Sequence, residues 1–295
     1  MKIVVVGGVA GGMSSAARAR RLDENAEIVV LERGAHVSFA NCGLPYFVGG
    51  EITEESKLLV QTPQSLRAAL DLDVRTGSDV IAVDTAAKNV TVRTEDDVYE
   101  LSYDALVLSP GASALRPPLP GLDSPRVRTL RTVEDAIALR DQVLGGARRA
   151  VVLGAGFIGI EAAEALAQQG LDVSIVELAP HPLPPLETEL AWLVTEQLVA
   201  LGITVHTGIA AARVERGEDA DTVVLADGTQ LEADIVVLSV GVRPDTAPFE
   251  AAGIVCERGA IVVDAHGRTS APGVWAAGDA TVSVDAVTGI RRPVA

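Results

Sequence analysis

One pattern is written twice in this chain, and it restricts the possible folds more than any other feature. A short apolar run, Ile3–Val6, enters a glycine-rich stretch, Gly7–Gly12. A helical segment follows over Met13–Leu22, then a second strand-like run, Glu27–Leu31, ending at Glu32. The pattern returns at Ala150–Leu153, with GAGFIG at 154–159, a helix to Gln169, and a strand Asp172–Val176 ending at Glu177. Each copy reads as a strand–helix–strand dinucleotide unit. Glycines let the backbone approach a pyrophosphate at a helix N-terminus, and the acidic residue accepts from a ribose hydroxyl. The second copy is complete, with Gly154, Gly156 and Gly159 in register and Glu177 about 20 residues on. The first carries Val9 where the middle glycine belongs. A lone glycine-rich turn is often only a tight connection, but two copies with acidic strand ends predict two bound dinucleotides. A carboxylate at Glu177 repels a 2′-phosphate, and ELAPHP supplies no Arg or Lys, so NADH is favoured over NADPH.

The length of 295 residues exceeds one ordinary core and predicts two domains. Hydrophobic residues make up 48% and aromatics 3%, a mix suited to buried parallel strands covered by helices. The 24 Lys and Arg against 40 Asp and Glu, a net charge of −16, argue against a nucleic-acid surface but leave room for a small basic pocket. Two cysteines make no disulfide framework, which fits a reducing cytoplasm, and no metal site is expected. The opening MKIVVVGGVAGGMSSAARAR superficially resembles a signal peptide. Its glycines and Arg-rich half read instead as strand, turn and helix. No stretch reaches the roughly 18 uncharged apolar residues of a membrane span, so no membrane association is expected.

Further segments carry a resemblance. TSAPGVWAAGDA at 269–280 resembles the second flavin motif of the FAD-dependent pyridine nucleotide–disulfide oxidoreductases, whose Asp, here Asp279, bonds the ribityl chain. YDALVLSPGA at 103–112 and ADIVVLSVGVRPD at 233–245 look like that family's two inter-domain crossings, and RPPLPG after the first marks a linker. The resemblance implies an α/β fold of two Rossmann-like dinucleotide-binding domains with a three-layer FAD/NAD(P)-binding architecture. The flavin domain would be discontinuous, 1–112 and 242–295, with a nicotinamide domain inserted at 113–241. The implied cofactors are FAD and NADH. The implied cofactor-binding positions are Gly7, Gly8, Val9, Ala10, Gly12, Glu32, Arg33, Val80, Pro110, Gly111, Gly278 and Asp279, together with Gly154, Gly156, Phe157, Ile158, Gly159, Glu161, Glu177 and Gly241. Phe157 is expected to gate the flavin face and Glu161 to lie near the nicotinamide.

SFANCGLPYF at 38–47 holds one of the two cysteines. Gly43 and Pro45 suit the first turn of a helix, where the dipole would favour a Cys42 thiolate. From position alone, a buried structural cysteine is an equal reading. The segment resembles the single-cysteine branch of the family, with coenzyme A-disulfide reductase, NADH oxidase and NADH peroxidase, where the redox partner of the cysteine comes from outside the chain. Cys256 is expected to be a packing or surface residue. Peroxide-handling relatives commonly carry His in the first glycine loop, whereas Ala10 stands here. Ser14, Arg18 and Arg21 share a helical face; with Ser38 and Asn41 they are the implied contacts to a small-molecule disulfide or persulfide, coenzyme A disulfide foremost. Guanidinium groups suit phosphates. Arg20, on another face, is expected to be solvated.

Two departures temper the substrate reading. The helix before DVRT offers only Arg67, which raises a smaller thiol, a persulfide or a polysulfide as acceptor. The family continues past Asp279 into an interface domain that makes a homodimer, whereas this sequence stops at Ala295, as a fragment or a truncated protein. The favoured function is an NADH-dependent disulfide or persulfide reductase. The alternatives are an oxidase or peroxidase working through a Cys42 sulfenic acid, and a non-catalytic nucleotide-binding module.

Overall fold

The computed structural model describes residues 1–293. Two compact units emerge: Met1–Phe39 with Leu59–Ser113 and Arg243–Ala295, and Ala40–Leu58 with Ala114–Val242. Residues 40–58, which carry Cys42, therefore pack with the second unit although they sit in the expected 1–112 stretch. The last two residues of the expected 242–295 stretch lie outside the described residues.

The first unit is built on a parallel five-stranded sheet in the spatial order Val274–Ala276, Ala105–Leu108, Lys2–Val6, Glu27–Leu31, Asp73–Arg75. Successive side chains of a strand face opposite ways, and the run of Lys2–Val6 uses both faces. Ile3 and Val5 join Met13, Ala16, Ile28, Val30, Leu66 and Leu72 in one core. Val4 and Val6 join Val29, Leu31, Val90, Val92 and Leu106 in another. The second core lies against a three-stranded antiparallel sheet, Asp79–Asp84, Asn89–Arg93 and Val98–Ser102. Helix, parallel sheet and antiparallel sheet make three layers, because a strand apolar on both faces must be covered on both.

The second unit repeats the plan. Its parallel sheet runs Thr204–Thr207, Asp172–Glu177, Arg149–Leu153, Ile235–Leu238, Val127–Arg128. An antiparallel sheet of Ala211–Glu215, Asp221–Leu225 and Gln230–Ala233 covers one face. In both units this small sheet is inserted between the same two strands of the parallel order; only the outer edge strand comes from a different end of the segment. The Rossmann-like, three-layer α/β class expected from the sequence is thus present in both halves. No helix among the described residues is long and apolar enough to cross a membrane.

Candidate functional site

Both glycine loops are tied by the same bonds. Gly7 donates to Leu31 O at 2.8 Å and Gly154 to Val176 O at 2.8 Å. Glu32 accepts from the N–H of Gly8 at 2.7 Å and of Gly34 at 2.7 Å. Glu177 accepts from Ala155 at 2.6 Å and Ala179 at 2.8 Å. Each carboxylate therefore clips its loop to the end of the second strand. Glu32 is buried and Glu177 half-exposed.

Both helices begin earlier than the sequence suggests. The first runs Ala10–Leu22, so its opening turn is the glycine loop itself. The second runs Phe157–Gln168. Neither has a side-chain cap at its N-terminus, unlike Pro63–Leu70 and Val133–Leu144, which start with Thr62–Ser65 and Thr132–Asp135 capping boxes. The helix Thr188–Ala200 also starts uncapped, so that feature alone does not mark a nucleotide site. Gly156 differs from the glycines at both ends of its loop: its φ of −75° suits any residue, and a Cβ built there meets nothing within 4 Å. Neither backbone nor packing requires glycine at 156, and the space it leaves is open to close approach by a ligand.

Three cavities gather the sequence-derived residues, each within one unit. In the second unit, a cavity of about 490 Å³ is lined by Gly154, Gly156, Glu177, Leu178, Ser239 and Gly241 among others. Phe157, Ile158, Gly159 and Glu161 follow on the helix and do not line it. Phe157 is 66% exposed. Glu161 is exposed, yet its carboxyl is held above the ordinary range, first by partial loss of hydration and second by the Glu164 charge. In the first unit, a cavity of about 520 Å³ brings together Gly7, Glu32, Arg33, Val80 and Pro110. Gly111, Gly278 and Asp279 stand outside that lining, Asp279 exposed beyond strand Val274–Ala276. Gly278 lies beside the first loop, where its Cβ would come 3.9 Å from Gly11 Cα.

A third groove, about 550 Å³ in the first unit, is lined by Val9, Ala10, Met13, Ser14, Arg21 and Ser38, closed by Phe39, Val60, Leu66 and Leu70. Arg18 is exposed on the same helix but does not line it. Ser38 is held at φ 48°, accepted into place by a bond from its N–H to Gly8 O at 2.8 Å. Arg20 corrects the expectation of a solvated side chain: it donates to Leu70 O at 2.8 Å, Asp71 O at 2.9 Å and Glu24 O at 2.6 Å. Those carbonyls end two helical segments, where a cation satisfies groups without intrahelical partners. Arg67 is exposed and stands outside the groove.

Cys42 sits in a 3-10 turn, Asn41–Gly43, ahead of the five-residue helix Leu44–Val48 with Pro45 in its first turn. The turn separates the thiol from the helix start expected for it. Cys42 is exposed, as is Asn41, whereas Gly43, Leu44 and Pro45 are buried. A buried structural cysteine is thereby excluded. Cys256 is half-buried against the first unit's core, its thiol pushed up by burial first and by Glu250 second.

Several residues escaped the sequence reading. Ser109 Oγ is buried without a partner among the described residues, 3.2 Å from where a Cβ on Gly11 would stand. Its counterpart Ser239 lines the second-unit cavity, and the shared wording VLSPG and VLSVG was the available signal. Asp245 pairs with Arg33 and accepts from Ser113 Oγ at 2.9 Å; nothing local in RPD announces that pairing. Among the described residues, no cluster of His, Cys, Asp and Glu is placed to hold a metal.

Comparison with known proteins agrees with this geometry. A family model described as pyridine nucleotide-disulphide oxidoreductase matches residues 1–292. The chain is 32% identical over 292 residues to an NADH oxidase of Methanocaldococcus jannaschii, covering 98% of this chain and 65% of that one. It is 34% identical over 287 residues to a coenzyme A disulfide reductase of Staphylococcus haemolyticus, covering 96% and 63%. Among solved structures, reduced Bacillus anthracis CoADR-RHD superposes with a TM-score of 0.96 at 38% identity, over 99% of this chain and 53% of that one. A NAD-dependent persulfide reductase from A. fulgidus gives a TM-score of 0.96 at 36% identity, over 99% and 55%. The chain thus spans 63% to 65% of the length of these curated relatives.

Proposed function

Because the chain belongs to the pyridine nucleotide–disulphide oxidoreductase family, we propose that it is the nucleotide-binding part of a flavoprotein reductase. That reductase passes electrons from NADH through FAD to Cys42 and on to a disulfide or persulfide, with coenzyme A disulfide the favoured acceptor. The first unit would hold FAD through Gly7, Glu32, Arg33, Val80 and Pro110, the second NADH through Gly154, Gly156, Glu177 and Gly241. FAD, when bound, supplies hydride acceptance from NADH and delivery of an electron pair. Glu177 excludes a 2′-phosphate by charge and orients the loop by its two backbone bonds.

The observation that carries this reading is the exposed thiol of Cys42, immediately ahead of the buried residues Gly43, Leu44 and Pro45. As thiolate, Cys42 attacks one sulfur of the substrate; the new S–S bond to Cys42 forms as the old one breaks, and the other half leaves as a thiolate. Two electrons supplied from NADH then reopen that bond, regenerating the Cys42 thiolate and releasing the second thiol. Arg21, Ser14 and Ser38 line a groove suited to an elongated thiol with an anionic end. The enzyme is read as a homodimer when full-length and as cytoplasmic, in line with two free cysteines. A second reading, oxygen or peroxide reduction through a Cys42 sulfenic acid, draws on the likeness to an NADH oxidase. The Ala10 methyl in the groove gives that chemistry no proton-handling group at this position.

The test is Cys42→Ser in the full-length protein. It should bind FAD and accept hydride from NADH as before, while reduction of coenzyme A disulfide and of persulfides falls to background. Cys256→Ser should be nearly silent. Full disulfide turnover by Cys42→Ser would overturn the nucleophile assignment. A long-lived sulfenic acid with rapid NADH-dependent peroxide turnover in the wild type would select the second reading.

A further inference from the structure

The Cys42 segment is anchored by side chains that the proposed chemistry does not use. Helix Leu44–Val48 packs on the helices Val133–Leu144 and Phe157–Gln168 of its own unit. Arg140, on the first of these, donates to Phe47 O and, at 3.1 Å, to Ile52 O. Its guanidinium also lies 4.6 Å from the centroid of the Phe47 ring. Gln169, just past the second helix, donates from Nε2 to Gly49 O at 2.6 Å. Contact there is close, because a Cβ on Gly49 would stand 3.3 Å from Ala165 Cβ. Phe47 and Val48 are 6% and 1% exposed, so the end of the Cys42 helix is packed while Cys42 itself is open.

The helix Phe157–Gln168 joins two features of this unit. Its first turn opens at the Gly154–Gly159 loop, and its last turn presents Ala165 and Gln169 to Gly49 and Gly50. A 12-residue helix is a stiff strut about 18 Å long. A nucleotide drawn onto the N–H groups of its first turn acts on the body that carries the Cys42 segment. We propose that Arg140 and Gln169 are positioning residues that couple occupancy of the Gly154–Gly159 loop to the reactivity of Cys42. The proposal rests on the reading of Cys42 as the reactive thiol. Arg140 is the stronger coupler: its Nη1 donates to two carbonyls while the guanidinium lies over the Phe47 ring, a planar, delocalised contact that a compact, strongly hydrated ammonium reproduces only in part.

The experiment measures alkylation of Cys42 by iodoacetamide in the full-length flavoprotein, with and without saturating NAD⁺, read by mass spectrometry. In the wild type, NAD⁺ should change the rate by about fivefold or more. Arg140→Gln should lose that response while NAD⁺ affinity stays within about twofold. Arg140→Lys should recover only part of it. Gln169→Ala, lacking a single bond, should show a reduced response, and it decides the matter should Arg140→Gln fail to fold. A wild-type rate indifferent to NAD⁺, or an undiminished response in both Arg140→Gln and Gln169→Ala, overturns the coupling. Failure of the nucleophile reading would look different: Cys42→Ser would turn over disulfide while wild-type Cys42 still reported NAD⁺ binding.

Discussion

Set side by side, the two glycine loops keep the same clipping bonds and the same first and last glycines, and they differ at the four positions between. Gly7 and Gly154 both adopt positive φ, 93° and 99°. A Cβ on either would lie 1.9 Å from Ser109 O or 2.2 Å from Ser239 O. Gly12 and Gly159 are equally confined, each against the carbonyl of the loop's first glycine, at 1.8 and 2.0 Å. Between them, Val9 in the first loop corresponds in sequence to Gly156 in the second, where a Cβ would touch nothing. Outer glycines are thus demanded by the fold itself, whereas the middle one leaves space that no protein atom fills. The comparison teaches that a glycine's meaning depends on which atoms, the protein's or a ligand's, occupy the space it leaves.

The largest effect expected follows from that division. Gly7→Ala and Gly154→Ala should each destabilise their own unit by about 4 kcal/mol or more, since a strained φ and a backbone overlap add. Gly156→Ala should leave stability within about 1 kcal/mol and weaken NADH binding at least about tenfold, a loss of about 1.4 kcal/mol. Urea denaturation with NADH titration separates the two behaviours. Equal destabilisation at 154 and 156 would erase the distinction.

A difference between the two antiparallel sheets comes next. Asn89 opens the middle strand of the first and reaches Glu100 at 3.5 Å in solvent. Asp221 opens the middle strand of the second, fully buried, paired with Arg126 at 3.1 Å and bonded by Ser124 Oγ. Arg126→Ala leaves a buried carboxylate without its cation and should cost about 3 kcal/mol. Asn89→Ala should cost less than about 0.5 kcal/mol. Similar losses at both sites would show that burial is not what separates the sheets.

The two clipping glutamates sharpen the comparison further. Glu32→Gln, in the buried site, should lower stability by about 1–3 kcal/mol through weakened charged hydrogen bonds. Glu177→Gln, half-exposed, should cost less stability and narrow the preference for NADH over NADPH, read as a ratio of flavin-reduction rates in the full-length protein. An unchanged ratio removes Glu177 from the discriminating role.

A further modest effect is pH-dependent and belongs to the second unit. Arg149, with the backbone N–H groups of Arg148 and Arg149, holds the Asp234 carboxyl below its ordinary range; the Arg149 side-chain bond is the larger cause. A depressed carboxylate stabilises the fold above its unfolded pKa, and that contribution fades as pH falls through the folded value. Asp234→Asn should therefore cost about 1 kcal/mol or less at pH 7, after solvent screening, with the gap to wild type closing in acid. A gap that grows on acidification would reverse the assignment.

Local pattern sufficed for much of this protein. The doubled strand–glycine–helix–strand run, with Glu32 and Glu177 at matching ends, foretold two parallel sheets because apolar periodicity and positive-φ glycines act within a few residues. The same local logic marked Cys42 and placed Ser14, Arg21 and Ser38 in one groove, since Ser14 and Arg21 share a helical face. Arg18 stands outside the lining of that groove, because spacing assigns a face but not how far along it a cavity extends. Contacts across long separations were decided by tertiary structure alone. Arg20 was taken by the carbonyls of Leu70 and Asp71, about fifty residues away, and Arg33 by Asp245, 212 residues away. Residues 40–58 came to rest with the second unit, on its helices, held by Arg140 and Gln169, at separations of 93 and 120 residues for the Phe47 and Gly49 bonds. Such partners are chosen by which carbonyls lack hydrogen bonds once the chain has packed, and that is known only after the helices and turns have met.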